Sequence, residues 1–195
     1  MSDELDWALE GSEHGEDLIL FRARYDQRRH PESGQVMKRI VLESVDWVNV
    51  VAVTEDGRLV MIRQFRFGVG YTTLEIPGGM VDPGESPLVA AQRELLEETG
   101  YSGGTWHSLG AVEPNPAVHD HLCHQYLALG VRCTDDQALT GGEAIRVELM
   151  AESSVVTAVR SGEIRHVLVL SALSRVLELW PRPYLQDGRP RVSKT

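Results

Sequence analysis

Cysteine is nearly absent from this chain of 195 residues. Its two thiols, Cys123 and Cys133, cannot build a disulfide framework or a four-thiolate metal site. Long apolar runs are missing too. No stretch reaches the roughly 20 residues a membrane span needs, so no membrane partner is expected. The start, Met1-Ser2-Asp3-Glu4, is acidic and lacks an apolar stretch. A secretory leader is therefore not expected, and a reducing cytoplasm is. Basic residues are in deficit, with 19 Lys and Arg against 29 Asp and Glu and a net charge of -10. A nucleic-acid binder usually carries the opposite sign, so no nucleic-acid partner is expected. What is present is ordinary for a soluble domain: 42% hydrophobic and 25% charged residues, in a length that suits one domain with a small appendage.

The acidic excess is not spread evenly. Residues 1–20 hold seven acids and no Lys or Arg, which reads as a solvated, partly disordered lead-in. Residues 79–101 hold five acids and one base, and they lie between hydrophobic periodic segments. The stretch 21–78 is slightly basic, and the tail from 180 onward is basic.

Alternating apolar and polar residues predict strands at Leu18–Tyr25 and Gln35–Glu43, joined by the turn Pro31-Glu32-Ser33-Gly34. Trp47–Thr54 is almost wholly apolar and reads as a buried strand, paired through Glu55-Asp56-Gly57 with Arg58–Phe65. A short strand around Leu74–Ile76 ends at Pro77-Gly78-Gly79. A helix is predicted over Pro87–Thr99, capped by Ser86 and stopped by Gly100. Further strands are expected at Trp106–Val112, Cys123–Val131 and Ile145–Leu149, with helices at Ser153–Arg160 and Val167–Leu179 ended by Pro181 and Pro183. Mixed elements without regular alternation argue for an α+β fold.

The chemistry concentrates in 79–101. An α-helix turns about 100° per residue, so Glu94, Glu97 and Glu98 share one face, while Leu88, Ala91 and Leu95 form an apolar stripe for packing on a sheet. Like charges at these spacings repel by a few tenths of a kcal/mol per pair. Clustered carboxylate oxygens on a rigid helix suit Mg²⁺ or Mn²⁺, which would remove the repulsion and polarise a phosphoryl oxygen. Arg93 stands ready to ion-pair with this cluster. The pair Gly78 and Gly79 permits unusual backbone angles that turn a carbonyl toward an ion.

These residues resemble the Nudix box: Gly, five residues, Glu, seven residues, then Arg-Glu-aliphatic-any-Glu-Glu-any-Gly-aliphatic. They appear as Gly79, Glu85, Arg93, Glu94, Leu95, Glu97, Glu98 and Gly100, with Tyr101 departing from the final aliphatic. The resemblance implies an α/β/α sandwich with a mixed β-sheet over 46–180. It implies hydrolysis of a nucleoside diphosphate linked to another moiety. It also implies metal ligation by Glu94, Glu97, Glu98 and the Gly78 carbonyl, with Arg93 and Glu85 as orienting residues. Arg63-Gln64-Phe65-Arg66, Leu74-Glu75-Ile76-Pro77-Gly78-Gly79, Pro116, Gly142–Val147 and Gly162–His166 resemble the ADP-ribose and nucleotide-sugar pyrophosphatase branch. That resemblance implies Glu143 as general base and an N-terminal β-rich segment, 1–45, that contributes to a homodimer; 181–195 is left as a tail.

Read as residues, Arg66 is either a phosphate fork or a solvated strand-edge arginine. Glu143 is either a base for an attacking water or an exposed turn glutamate. Trp47 either stacks on a nucleobase or packs in the core. The substrate-facing set is thus Arg66, Trp47, Pro116 and Glu85, and the catalytic set Glu97, Glu98, Arg93 and Glu143. His119, His121, Cys123 and His124 are close in sequence, but three ligands on one strand fit tetrahedral zinc poorly, and a pocket lining is expected instead. Two other activities stay open: a nucleoside triphosphate or dinucleoside polyphosphate pyrophosphohydrolase, and a non-catalytic sensor of an ADP-ribose-type ligand.

Overall fold

The computed structural model describes residues 3–140 and 142–180, with the backbone of 185–186 and 189–190. Three strands come first: β1 (Ala8–Asp17), β2 (Arg22–Arg29) and β3 (Val36–Glu43), forming an antiparallel sheet in that order. The strands β4 (Trp47–Thr54), β5 (Leu59–Arg66) and β6 (Tyr71–Glu75) then precede helix α1 (Pro87–Thr99). After it come β7 (Tyr101–Ser102), β8 (Thr105–Val112), β9 (Cys123–Cys133), β10 (Ile145–Met150), α2 (Glu152–Arg160) and α3 (Val167–Ser174). Leu185–Gln186 and Arg189–Pro190 pair as β11 and β12.

β4 to β10 form one mixed seven-stranded sheet with the path β10-β5-β4-β9-β7, β6 pairing with β5 and β8 with β9. Only the β4–β9 pairing is parallel, with Trp47 opposite Cys123 and Val51 opposite Leu127. Side chains alternate faces along a strand, and β4 uses both faces for core. Val48, Val50 and Ala52 pack under α1 with its Ala90, Ala91 and Leu95. Val51 points the other way, into a cluster with Val155, Val159, Val169 and Leu173 of α2 and α3. Helices cover both faces of the sheet, so the expected α+β class, as an α/β/α sandwich with an N-terminal β-rich segment, is what the chain forms. Fully burying a side chain such as Leu95 contributes about 1.5–3 kcal/mol.

Helix α1 begins and ends as its sequence predicts. The Ser86 hydroxyl accepts from the Val89 N–H at 3.4 Å, Pro87 opens the first turn, and Gly100 closes it in the left-handed region at φ 74°. Of the expected packing stripe, Ala91 and Leu95 are buried. Ala90 is buried, while Leu88 in the first turn stays 38% exposed.

Three other expectations are corrected. The acidic lead-in is not a disordered segment along its length, because Ala8–Asp17 is a strand. Its glycines and lack of β-branched residues hide it from pattern reading, but its acids meet bases on the neighbouring strands. Glu10 pairs with Arg29 at 2.8 Å and Glu13 with Lys38 at 2.5 Å. Asp26 is buried in this sheet, and burial pushes its carboxyl up, but Ser12, Arg24 and Arg28 outweigh that and hold it at about 2. The strand expected from Leu18 begins only at Arg22, because Leu18 N–H turns back to the Phe21 carbonyl and Ile19 takes φ 72°. The last helix stops at Ser174, and the chain then turns so that Leu179 joins the core. Pro181 and Pro183 lie outside the described residues.

Candidate active site

A pocket of about 790 Å³ opens between β4, β6, α1 and the segment before α3. Its floor is the approach of Pro77-Gly78-Gly79 to β4. The Val50 N–H bonds the Pro77 carbonyl at 2.9 Å, and the Val48 N–H bonds the Gly79 carbonyl at 2.8 Å. Alternation then turns the intervening Gly78 carbonyl away from β4. Neither glycine sits at positive φ, so the dihedral freedom expected of them is not what requires them. Close approach is. A Cβ on Gly78 would lie 2.1 Å from the Val48 carbonyl oxygen, and one on Gly79 2.4 Å from a Glu94 carboxylate oxygen.

Helix α1 delivers Glu94 and Glu98 to this floor, one turn apart. Glu98 is 4% exposed and accepts the Gly78 N–H at 2.9 Å. Burial pushes its carboxyl up to about 8, only partly offset by that N–H, and the neighbouring Glu94 charge adds to the rise. Burial also raises Glu94, against the pull of Arg93 and with the repulsion of Glu97 and Glu143 added. Glu97 is turned to the edge, where its carboxylate meets Arg93 at 3.1 Å. Arg93 spans the cluster. It donates to Glu85 at 3.0 and 3.2 Å, to Glu94 at 2.8 Å and to the Met80 carbonyl at 3.0 Å. Glu85 therefore braces Arg93 from outside the pocket lining and also accepts the Asp82 N–H.

The remaining predicted residues divide. Arg66, Trp47 and Glu143 line the pocket. Pro116 is exposed in a turn away from it. Glu143 is held by the Thr140 N–H and hydroxyl, at 3.0 and 3.2 Å. Trp47 faces the pocket and also packs on His121 at 4.3 Å and Phe21 at 6.1 Å between ring centroids. The histidines form an aromatic seam. His119 and His121 are stacked with centroids 5.1 Å apart, and both ring nitrogens of His121 are buried without a hydrogen-bond partner. Cys123 lines the pocket floor, and burial pushes its thiol up to about 12, which favours the protonated form. Among the described residues no three His, Cys, Asp or Glu side chains are gathered as a ready-made metal cage.

Sequence reasoning missed the opposite wall. Tyr71, Thr73 and Glu75 alternate along β6 and all face the pocket. Glu75 is 1% exposed and fully engaged. It accepts Arg66 Nε and Nη2 at 2.9 and 2.8 Å, the Thr73 hydroxyl at 2.5 Å and His166 Nδ1 at 3.0 Å. Burial pushes its carboxyl up, but the His166, Arg66 and Thr73 hydrogen bonds prevail and hold it well below the usual carboxylate range. Glu75 lies opposite Ile62 and Arg66 opposite Tyr71 across the β5–β6 pairing, so no local spacing in the sequence marks the pair.

The family model for the NUDIX domain matches residues 45–168, more than half of the chain. This chain belongs to the NUDIX domain family. Among its relatives, the ADP-ribose pyrophosphatase of Bacillus subtilis (strain 168) is 38% identical over 96 residues, which are 49% of this chain and 52% of that protein. The ADP-ribose pyrophosphatase of Mycobacterium tuberculosis (strain ATCC 25618 / H37Rv) is 37% identical over 114 residues, covering 58% and 55%. The chain thus spans about half the length of the curated relatives it matches. A crystal structure of an ADP compounds hydrolase shares the fold, with a TM-score of 0.76 over 90% of this chain and 95% of that one at 20% identity. The NUDIX match takes in β4 to β10 and both walls of the pocket, and it leaves the three-stranded N-terminal sheet outside.

Glu75 generates a prediction about pH. The unfolded chain protonates this group near its ordinary 4.5, while the folded chain keeps it ionised to lower pH. The unfolded state then binds more protons, so the stability Glu75 contributes is full above about pH 4.5 and is lost as pH falls toward the depressed folded value. Glu75→Gln should cost about 3 kcal/mol near neutral pH, and urea unfolding should show the wild-type and variant curves converging in acid. Curves that stay parallel down to about pH 3 contradict this account.

Proposed function

We propose that the chain hydrolyses the pyrophosphate bond of a nucleoside diphosphate joined to another moiety, ADP-ribose in the first instance, giving AMP and ribose 5-phosphate. The observation that carries this reading is the pocket itself. It is large enough for such a ligand and places Glu94, Glu98 and Glu143 around the Gly78-Gly79 floor. The pyrophosphatase relatives support the same substrate class.

The buried Glu98 and half-buried Glu94 carboxylates, both with raised proton affinity, beside a carbonyl turned off β4, fit a divalent cation. Mg²⁺ keeps several waters and takes one or two protein carboxylates plus substrate phosphate, so the lack of a closed cage is no obstacle. Glu94, Glu98 and the Gly78 carbonyl would hold it, with Glu97 joining from the edge; Mn²⁺ would substitute. When bound, the ion supplies Lewis acidity toward a phosphoryl oxygen. The protein's own parts follow from their positions. Arg93, fixed by Glu85, keeps the helix carboxylates in place. Glu143, oriented by Thr140, takes the proton of the attacking water. Trp47 stacks on the base. Arg66 offers its remaining Nη1 edge, since Glu75 occupies Nε and Nη2. We place this activity in the cytoplasm with a small-molecule substrate and no nucleic-acid partner.

Glu98→Gln should lower kcat for ADP-ribose by about 10²-fold or more, and a chelator should abolish wild-type turnover rather than weaken it. Chromatography of the products should show AMP and ribose 5-phosphate. Pyrophosphate release from nucleoside triphosphates, or a Glu98→Gln variant with full activity, would overturn the reading.

We also propose a homodimer through the N-terminal sheet, which leaves Leu9, Ile19, Val36 and Ile40 exposed. Light scattering at micromolar concentration should give twice the 21.7 kDa chain mass. A monomer there contradicts the dimer.

A further inference from the structure

The cations that line the pocket are not equally free. Arg66 and His166 both bond Glu75, so the Arg66 charge is balanced inside the wall. Glu163, at the same rim, is held by Arg63 at 2.6 Å. Arg165 also lines the pocket and is exposed, and among the described residues it pairs with no carboxylate. Its guanidinium carbon lies instead 5.7 Å from the centre of the Tyr71 ring. Such a group is more weakly hydrated than an ammonium, and stacking pre-orients its in-plane N–H edges as a fork for an oxyanion.

Its place along the pocket decides what it can meet. Tyr71 opens β6 and Glu75 ends it, about 13 Å apart at the rise of a strand. Two further residues, Ile76 and Pro77, separate Glu75 from Gly78, where the Glu98 carboxylate sits. Trp47 and Met80, paired across an isolated bridge, flank that same floor. A diphosphate seated against Glu94 and Glu98, with its base at Trp47, therefore does not itself extend to Tyr71. Only the far moiety does.

We propose that Arg165, supported by Tyr71, is a specificity residue that recognises a phosphate monoester on the substrate moiety remote from the nucleoside. This rests on the pyrophosphatase reading above. A phosphate monoester carries close to two negative charges near neutral pH and three acceptor oxygens, which makes full use of a guanidinium fork. At this rim it meets the one lining arginine that no described carboxylate neutralises.

The test is a matched pair of substrates, ADP-ribose and ADP-ribose 1″-phosphate, assayed with Mg²⁺. The KM of the phosphorylated compound (or its Ki against ADP-ribose, if it is not turned over) should lie about tenfold below the KM of ADP-ribose. Arg165→Ala should bring that ratio within about twofold of one, and Arg165→Lys, which keeps the charge but loses the fork, should fall between. A structural role for Arg165 would move both constants together and leave the ratio standing. A wild-type ratio near one, or a ratio that survives Arg165→Ala, overturns the assignment while the pyrophosphatase reading remains. If ADP-ribose is not hydrolysed at all, both fall.

Discussion

Helix α1 carries Glu94 and Glu98, one turn apart, into a pocket that offers them one backbone N–H and part of one guanidinium. Desolvating these two neighbouring carboxyls with so few donors disfavours their charged forms, which raises both. The surroundings follow from containing this arrangement. The Gly78-Gly79 segment must come close enough to donate, so Gly78 has no room for a Cβ against the Val48 carbonyl, and a Cβ on Gly79 would displace the Glu94 carboxylate. Arg93 must bridge the carboxylates from outside, so Glu85 is needed to hold it. In the proposed reaction a divalent cation would accompany the anionic phosphoanhydride, which is how an acidic protein could act on an acidic ligand.

The sandwich sets these parts at fixed distances. β4 gives one face to α1 and the other to α2 and α3, so the helix with the carboxylates and the segment with His166 meet the same strand from opposite sides. The β6 stripe of Tyr71, Thr73 and Glu75 closes the gap between them. The N-terminal sheet touches this core at a narrow seam, where the Leu42 N–H bonds the Val118 carbonyl and Arg24 meets Asp120. Leu20 of the same segment reaches the pocket, so the appendage borders the site without being part of its chemistry.

Local signals made α1, the β4–β5 hairpin and the sandwich strands legible in the sequence, because Ser86, Pro87, Gly100 and the apolar runs each act within a few residues. The pocket carboxylates were legible for the same reason, since helical spacing alone places Glu94 and Glu98 together. What escaped depends on partners far apart in the chain. β1 is held by ion pairs to β2 and β3, and its own residues carry no strand pattern. The Glu75–His166 contact joins residues 91 apart. Glu97 shares the helix face of Glu94 and Glu98, and its carboxylate meets Arg93 at 3.1 Å at the edge of the cluster.

The account stands on the claim that buried carboxylates make anion binding depend on a divalent cation. Calorimetric titration of ADP-ribose into the Glu143→Gln protein, slowed in turnover, with Mg²⁺ and then with chelator, tests this most directly. The account predicts that Mg²⁺ tightens ADP-ribose binding about tenfold or more, and that ADP-ribose tightens Mg²⁺ binding by the same factor. Equal affinity with and without the cation would contradict it.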